Sequence, residues 1–189
     1  METLVKHKTF DKTNFTQSPL AKGEYESCTF NSCDCSNADL ADVRFFECVF
    51  TGCNLSMAKL TKTTFRDVKF RDCKMLGLSF ENCNPFGFSI YIDNCILNHS
   101  SFYQAKLKKT IFRNTAFHEV DFTDCDLSGS VFDNCDLAMA KFDNTILEKT
   151  DFRTSFNYSI DPDLNRIKKA RFSLPAVTGL LDKYDLEIS

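Results

Sequence analysis

Residues able to do chemistry are plentiful in this chain but scattered. Ten cysteines, three histidines and 26 carboxylates occur in 189 residues. Cys33-Asp34-Cys35 is the tightest thiol pair, and it lacks the C-x-x-C spacing typical of structural metal sites. His7, His99 and His118 stand apart, and no nucleophile, base and orienting group share a recognisable spacing. Carboxylate pairs such as Asp124 and Asp126 occur without a glycine-rich phosphate loop to accompany them. An enzyme is not expected, and no catalytic, cofactor or metal residue is assigned. A disulfide framework would require an oxidising, secretory setting. The opening residues, Met1-Glu2-Thr3-Leu4-Val5-Lys6-His7-Lys8, hold no apolar signal core, and no run approaches a membrane span. The expectation is a cytoplasmic protein with reduced thiols.

The elements that position these groups emerge from a second oddity, 20 phenylalanines and no tryptophan, which asks for a repeat search. Reading every fifth residue from Phe10 gives Phe15, Leu20, Tyr25, Phe30, Cys35, Leu40, Phe45 and so on to Phe80, without a polar residue. The register then slips by two and resumes at Ile92, Leu97, Phe102 and Leu107, running unbroken to Phe152. Two residues before each of these lies a second column of mostly small residues, such as Cys28, Ala38, Val43, Cys48, Thr115, Ser130 and Ala140. Asp or Asn recurs between the columns, as in Cys53-Asn54-Leu55 and Cys125-Asp126-Leu127.

A period of five suits neither regular element. Five helical steps rotate each residue roughly 140° from the last, and five is odd on a strand, so no single stripe forms. A chain that turns a corner every five residues does keep both columns inside. Within each short segment, positions i−2 and i share a face by the strand period of two. Large and small inner residues then alternate to fill a narrow interior. Nine cysteines (Cys28, Cys33, Cys48, Cys53, Cys73, Cys83, Cys95, Cys125 and Cys135) fall in the small column and Cys35 in the large one. They are expected to be buried small hydrophobes.

Over residues 8–154 this pattern resembles the pentapeptide-repeat family. The resemblance implies an all-β solenoid, a right-handed quadrilateral β-helix of about seven coils, on the order of 35 Å long at the usual strand spacing. Residues 1–160 would form the rod, with its slip at 84–91, and residues 161–189 a capping and dimerisation segment. Pro85, Phe86, Gly87 and Tyr91 mark the slip either as a bulged coil whose aromatics pack locally or as a candidate contact loop. After the rod, Ser173-Leu174-Pro175 reads as a helix start. That helix is expected to run through Leu180 and Leu181 towards Tyr184, with a short strand at Leu186 and Ile188. The excess of apolar residues (Leu180, Leu181, Tyr184, Leu186, Ile188) predicts a homodimer through this end.

The tail Ala176–Ile188 is similar to that of the Qnr and MfpA proteins within the family. That resemblance implies binding to DNA gyrase or topoisomerase IV by mimicry of duplex DNA, with an effect on fluoroquinolone action. The short slip matches loop-free members such as MfpA better than Qnr proteins with a long projecting loop. Charge bears on the same idea. Residues 110–165 carry eleven acids and four bases, while the segments on either side are each net positive by two. Glu119, Asp121, Asp124, Asp126, Asp133, Asp136 and Asp143 are the candidate acidic partner-binding residues. Asp before the central residue is equally able to bond turn backbone. Lys106, Lys108 and Lys109 form only a local basic cluster, so direct nucleic-acid binding is not expected. The alternative to the topoisomerase reading is an interaction scaffold of the same fold with an unrelated protein partner.

Overall fold

The computed structural model of the chain describes residues 3–187. Its strands are β1 (Thr3–Lys6), β2 (Thr9–Asp11), β3 (Gly23–Glu26), β4 (Thr29–Asn31), β5 (Arg44–Phe46), β6 (Val49–Thr51), β7 (Thr64–Arg66), β8 (Val68–Arg71), β9 (Ile90–Asp93), β10 (Ile111–Arg113) and β11 (Val131–Asp133). All pair in parallel with the equivalent strand of the next coil. On the first face β1, β3, β5 and β7 form a four-stranded sheet. On the second, β2, β4, β6, β8, β9, β10 and β11 form a seven-stranded sheet, one strand per coil, so the solenoid makes about seven turns. The third and fourth faces are held by single parallel bridges, such as Asp34–Asn54 and Asp121–Lys141. Bridges Ile146–Arg166 and Asp151–Arg171 carry the stacking past residue 160.

The five-residue period has a local cause in the backbone. One residue per corner adopts the left-handed conformation, for example Asn37, Asp42, Glu47, Met57 and Lys62, with φ between 54 and 61° apart from 53° at Glu47. That residue reverses the in–out alternation and lets the next segment start with its small residue facing inward. The interior is apolar and regularly stacked. Phe30, Phe70, Phe112, Phe132 and Phe152 are fully buried. On the second face Phe10, Phe30 and Phe50 stack with centroids 4.8 and 4.4 Å apart. Each buried ring contributes roughly 1.5–3 kcal/mol before entropy.

The coil step is 20 residues from Phe30 to Phe50 and from Phe50 to Phe70. It becomes 22 from Phe70 to Ile92, then returns to 20 from Ile92 to Phe112. The two extra residues lie before Ser89, because β9 is already in register at Ile90.

The C-terminal helix expected from the sequence is instead a pair of short 3₁₀ turns, Val177–Leu180 and Asp182–Tyr184. The reason sits at Gly179. Its carbonyl accepts a hydrogen bond from Ile160 N–H at 2.9 Å, and a Cβ there would lie 2.1 Å from the Tyr158 carbonyl. The segment is therefore pulled flat onto the rod end. Ala176, not Ser173, precedes the first turn and makes no side-chain cap, and Asp185 ends the second turn at φ 50°. Residues 185–187 form no strand, and Ile188 lies outside the described residues. No described helix is long and apolar enough to cross a membrane.

Candidate protein-binding surfaces

The seven candidate acidic residues ring the rod instead of lining one face. Asp126 lies on the first face, bridging Lys106 and Ile146, and Asp133 on the second, opposite Arg113. Asp136 lies on the third face and Asp121 on the fourth, and Asp143 follows the fourth-face ring Phe142. Glu119 and Asp124 occupy corners, at φ 56 and 58°.

Three of them also build the coil. Asp121, Asp126 and Asp136 each accept the backbone N–H two residues on, at 2.8, 3.1 and 3.2 Å from Thr123, Ser128 and Ala138. This is the turn bond that Asp before the central residue makes along the whole rod, as at Asp34 and Asp39. Partial burial raises the Asp126 carboxyl, but the Ser128 and Lys108 bonds outweigh it and hold it below the ordinary carboxylate range. At Asp136 burial likewise opposes, and hydrogen bonds from His118, Asn157 and Ala138 prevail. Glu119, Asp124 and Asp143 make no such backbone bond. Lysine or arginine approaches three of these acids: Lys108 at Asp126 (3.0 Å), Arg113 at Asp133 (3.1 Å) and Lys141 at Asp143 (3.3 Å).

At the rod end the candidate dimer residues divide into two kinds. Leu180 packs against the core together with Ala176 and Phe172, so it serves as a lid. Leu181 is half-buried, while Tyr184 and Leu186 are 55% and 58% exposed. Sequence reasoning overlooked Leu174, the most exposed large apolar residue described, and Leu164. Both lie outside the repeat, where no periodicity marks which side chains face out. Lys183 ties this segment to the rod through Asp161 (2.7 Å) and Asp163.

The slip is a turn whose parts are well defined. Asn84 Oδ1 accepts the Phe86 N–H at 3.0 Å, and Gly87 supplies the left-handed residue at φ 70°. Phe88 turns inward against the edge of Phe80, while Phe86 is 77% exposed. Tyr91, grouped with the loop on sequence grounds, belongs to β9. Its hydroxyl meets Asp93 Oδ2 at 3.3 Å and accepts from Arg113 Nη1 at 3.4 Å.

The ten cysteines are free and buried. Their interchange with Ser and Thr has a cause the sequence did not reveal. Ser100, Thr145 and Ser155 in the small column donate to the carbonyl of the central residue one coil back, at 2.9, 2.8 and 2.7 Å. Cys48 and Cys53 direct their thiols to the equivalent carbonyls of Tyr25 and Phe30, both at 3.3 Å.

Two family profiles match this architecture. Residues 23–86 match the one described as "Pentapeptide repeat region", and residues 91–124 and 117–153 match "Pentapeptide repeats (8 copies)". Together they span well over half of the chain. The chain belongs to the pentapeptide-repeat family. No curated protein matches it. Among solved structures this pentapeptide-repeat protein is similar to a trypsin-treated variant of QnrB1, described as a plasmid-mediated fluoroquinolone resistance protein. The TM-score is 0.65 at 18% identity, covering 100% of this chain and 98% of that one. A second trypsin-treated QnrB1 variant gives 0.63 at 18% identity, with 100% of both chains covered. At this identity the likeness is one of fold.

Proposed function

We propose that the chain is a non-enzymatic, cytoplasmic protein-binding rod that engages DNA gyrase or topoisomerase IV by presenting the charge of duplex DNA, and thereby modulates quinolone action. The observation that carries this reading is the ring of carboxylates on the C-terminal coils. Eleven acids between Thr110 and Asn165 occupy nearly three coils of about 4.8 Å each. That is about one carboxylate per 1.2 Å of rod, of the order of the one charge per ~1.7 Å of duplex DNA. Charge distributed round a cylinder is what a DNA-binding saddle meets. The bases that approach these acids keep their own side chains exposed, so a cationic partner can displace them. The full-length fold likeness to QnrB1, itself a fluoroquinolone resistance protein, supports the same class. The exposed Tyr184 and Leu186 support a homodimer through the C-terminus, which would join two acidic ends into one band.

One observation favours the alternative, an interaction scaffold with an unrelated protein partner: Asp121, Asp126 and Asp136 have turn-forming work that needs no partner. The experiment that separates the two is gyrase supercoiling with the purified protein titrated in, with and without a fluoroquinolone. The variant to compare is Glu119→Lys, Asp124→Lys, Asp143→Lys, which leaves the turn bonds intact. Inhibition or drug rescue by the parent, lost in the variant, supports mimicry. No effect on either topoisomerase, or an effect the variant retains, sinks it.

A further inference from the structure

The first face carries a second surface, of opposite character. Its four-stranded sheet stops at β7, and the bridge series resumes only at Lys106–Asp126. The segment that should supply the missing rung is the slip. Its Asn84 side chain bonds Thr64 Oγ1 at 3.3 Å, which places it directly beyond β7. The outward positions flanking this gap hold Arg44, Phe46 and Arg66 on one side and Lys106 and Lys108 on the other. Glu47 and Asp67 stand at the corners after Phe46 and Arg66, Arg44 pairs with Glu24 at 3.3 Å and Lys108 with Asp126 at 3.0 Å, which leaves Arg66 and Lys106 as the cations of the patch.

Arg66 is the centre of the patch. Its guanidinium lies over Phe46 at 5.1 Å and over Phe86 at 5.6 Å. That sandwich holds an exposed ring in place next to a cation, a pairing worth about 0.5–1 kcal/mol at such sites. The same interruption, through Cys83, Pro85 and Phe88, also lines a cleft of about 370 Å³, with Phe80 and Ala105 completing its apolar lining and Lys106 among its polar residues. This volume falls in the lower part of the roughly 300–1,000 Å³ range of ligand pockets. Lys106 is exposed and meets no carboxylate among the described residues. Glu81 also lines the cleft.

We propose that the coil interruption at 84–89 is a docking site for an acidic protein segment that inserts one large apolar side chain into the cleft. The apolar lining takes the anchor, Lys106 and Arg66 attract the acids around it, and Phe86, next in sequence to Pro85 of the lining, adds an exposed ring. Aromatic and arginine anchors in a desolvated centre are the composition of interface hot spots. Nucleic acid fits less well, because it needs several cations in a row and no apolar hole. The site is on another face and other coils than most of the acidic ring, so it does not depend on topoisomerase binding.

The test is to pan a random twelve-residue phage-displayed peptide library on the immobilised full chain, then measure selected peptides by fluorescence polarisation. Acidic peptides bearing one aromatic or leucine are expected. Their affinity should fall at least about tenfold in Lys106→Glu and in Phe86→Ala, and rise severalfold in Glu81→Lys, with thermal melting shifted by no more than a few degrees in any of the three. Selected peptides that are neutral or basic, or whose binding ignores these substitutions, overturn the proposal. So does tighter binding of a single-stranded oligo-dT than of any selected peptide.

Discussion

The first and second faces meet the same two-residue insertion and respond differently. The second keeps an unbroken seven-stranded sheet through it, with Val68 paired to Ile90 and Phe70 to Ile92. The first loses a rung, and its sheet ends at β7. Two residues preserve the strand alternation, so every inner residue after the slip is still an inner residue. The excess length is spent at one corner, where Gly87 turns and Phe86 is left outside. Stability in this rod is thus a matter of columns, and only a column that is cut becomes available for contact.

The largest test of that contrast is alanine in each column. Phe112 is fully buried and stacks on Phe132 at 4.8 Å. Phe112→Ala should lower the unfolding free energy by about 3–5 kcal/mol in urea denaturation. Phe86→Ala should change it by no more than about 1 kcal/mol, the worth of its exposed contact with Arg66. Comparable losses would mean that the slip is part of the core. A thiol measurement sharpens the same comparison. Burial pushes the Cys48, Cys125 and Cys135 thiols up to about 12, and it raises Cys83 as well. Cys83 is nonetheless the most accessible of the ten and lines the cleft. With excess maleimide at pH 8, Cys83 should react at least about tenfold faster than the others through local opening of the slip. Uniform rates would show that the rod opens only as a whole.

Much of this was legible beforehand because a five-residue period admits few solutions. Phe45, Leu60, Phe117 and Leu147 could be placed inside from spacing alone, and each is buried. The cysteine column could be placed too, but not its hydrogen bonds to carbonyls one coil back, which depend on the stack. The tail resisted reading. Ser173-Leu174-Pro175 carries local helix signals, yet the contact of Gly179 with Tyr158 is tertiary and overrides them. The acidic positions were legible as a list and not as a surface. A period of five with four repeats per coil sends neighbours such as Asp133 and Asp136 to different faces, and a linear charge count cannot register that.

Corners offer a smaller test. Met139 is held at φ 58° with its side chain 77% exposed, so Met139→Gly should raise stability by up to about 1 kcal/mol. Gly87→Ala should lower it by about 1 kcal/mol or more, since a Cβ would meet Arg66 Nε at 2.8 Å. If Gly87→Ala is neutral, the turn at the slip can relax in a way that the regular corners cannot.

The smallest expected effect is in acid, and it falls on the regular coils and the rod end, where Lys183 lowers the Asp161 carboxyl, but not on the slip. At Asp151 the Arg153 bond, helped by the Arg153 N–H and against the opposing effect of burial, holds the carboxyl below its ordinary range. Asp126 and Asp136 are lowered too. A carboxyl whose folded pKa is depressed contributes stability that is fully present above its unfolded value, near 3.9. That contribution is lost as pH falls through the folded value, because the unfolded chain then takes up the proton first. Melting temperature should therefore fall as pH drops below about 4, and Asp136→Asn should flatten part of that slope while leaving the behaviour at pH 7 dominated by the retained turn bond. At the slip the equivalent position is Asn84, which makes the same turn bond without a charge. Asn84→Asp should therefore steepen the acid limb if the slip turn is built like the regular ones. An unchanged slope would mean that the interrupted corner has given up the electrostatic part of the coil's design and kept only its geometry.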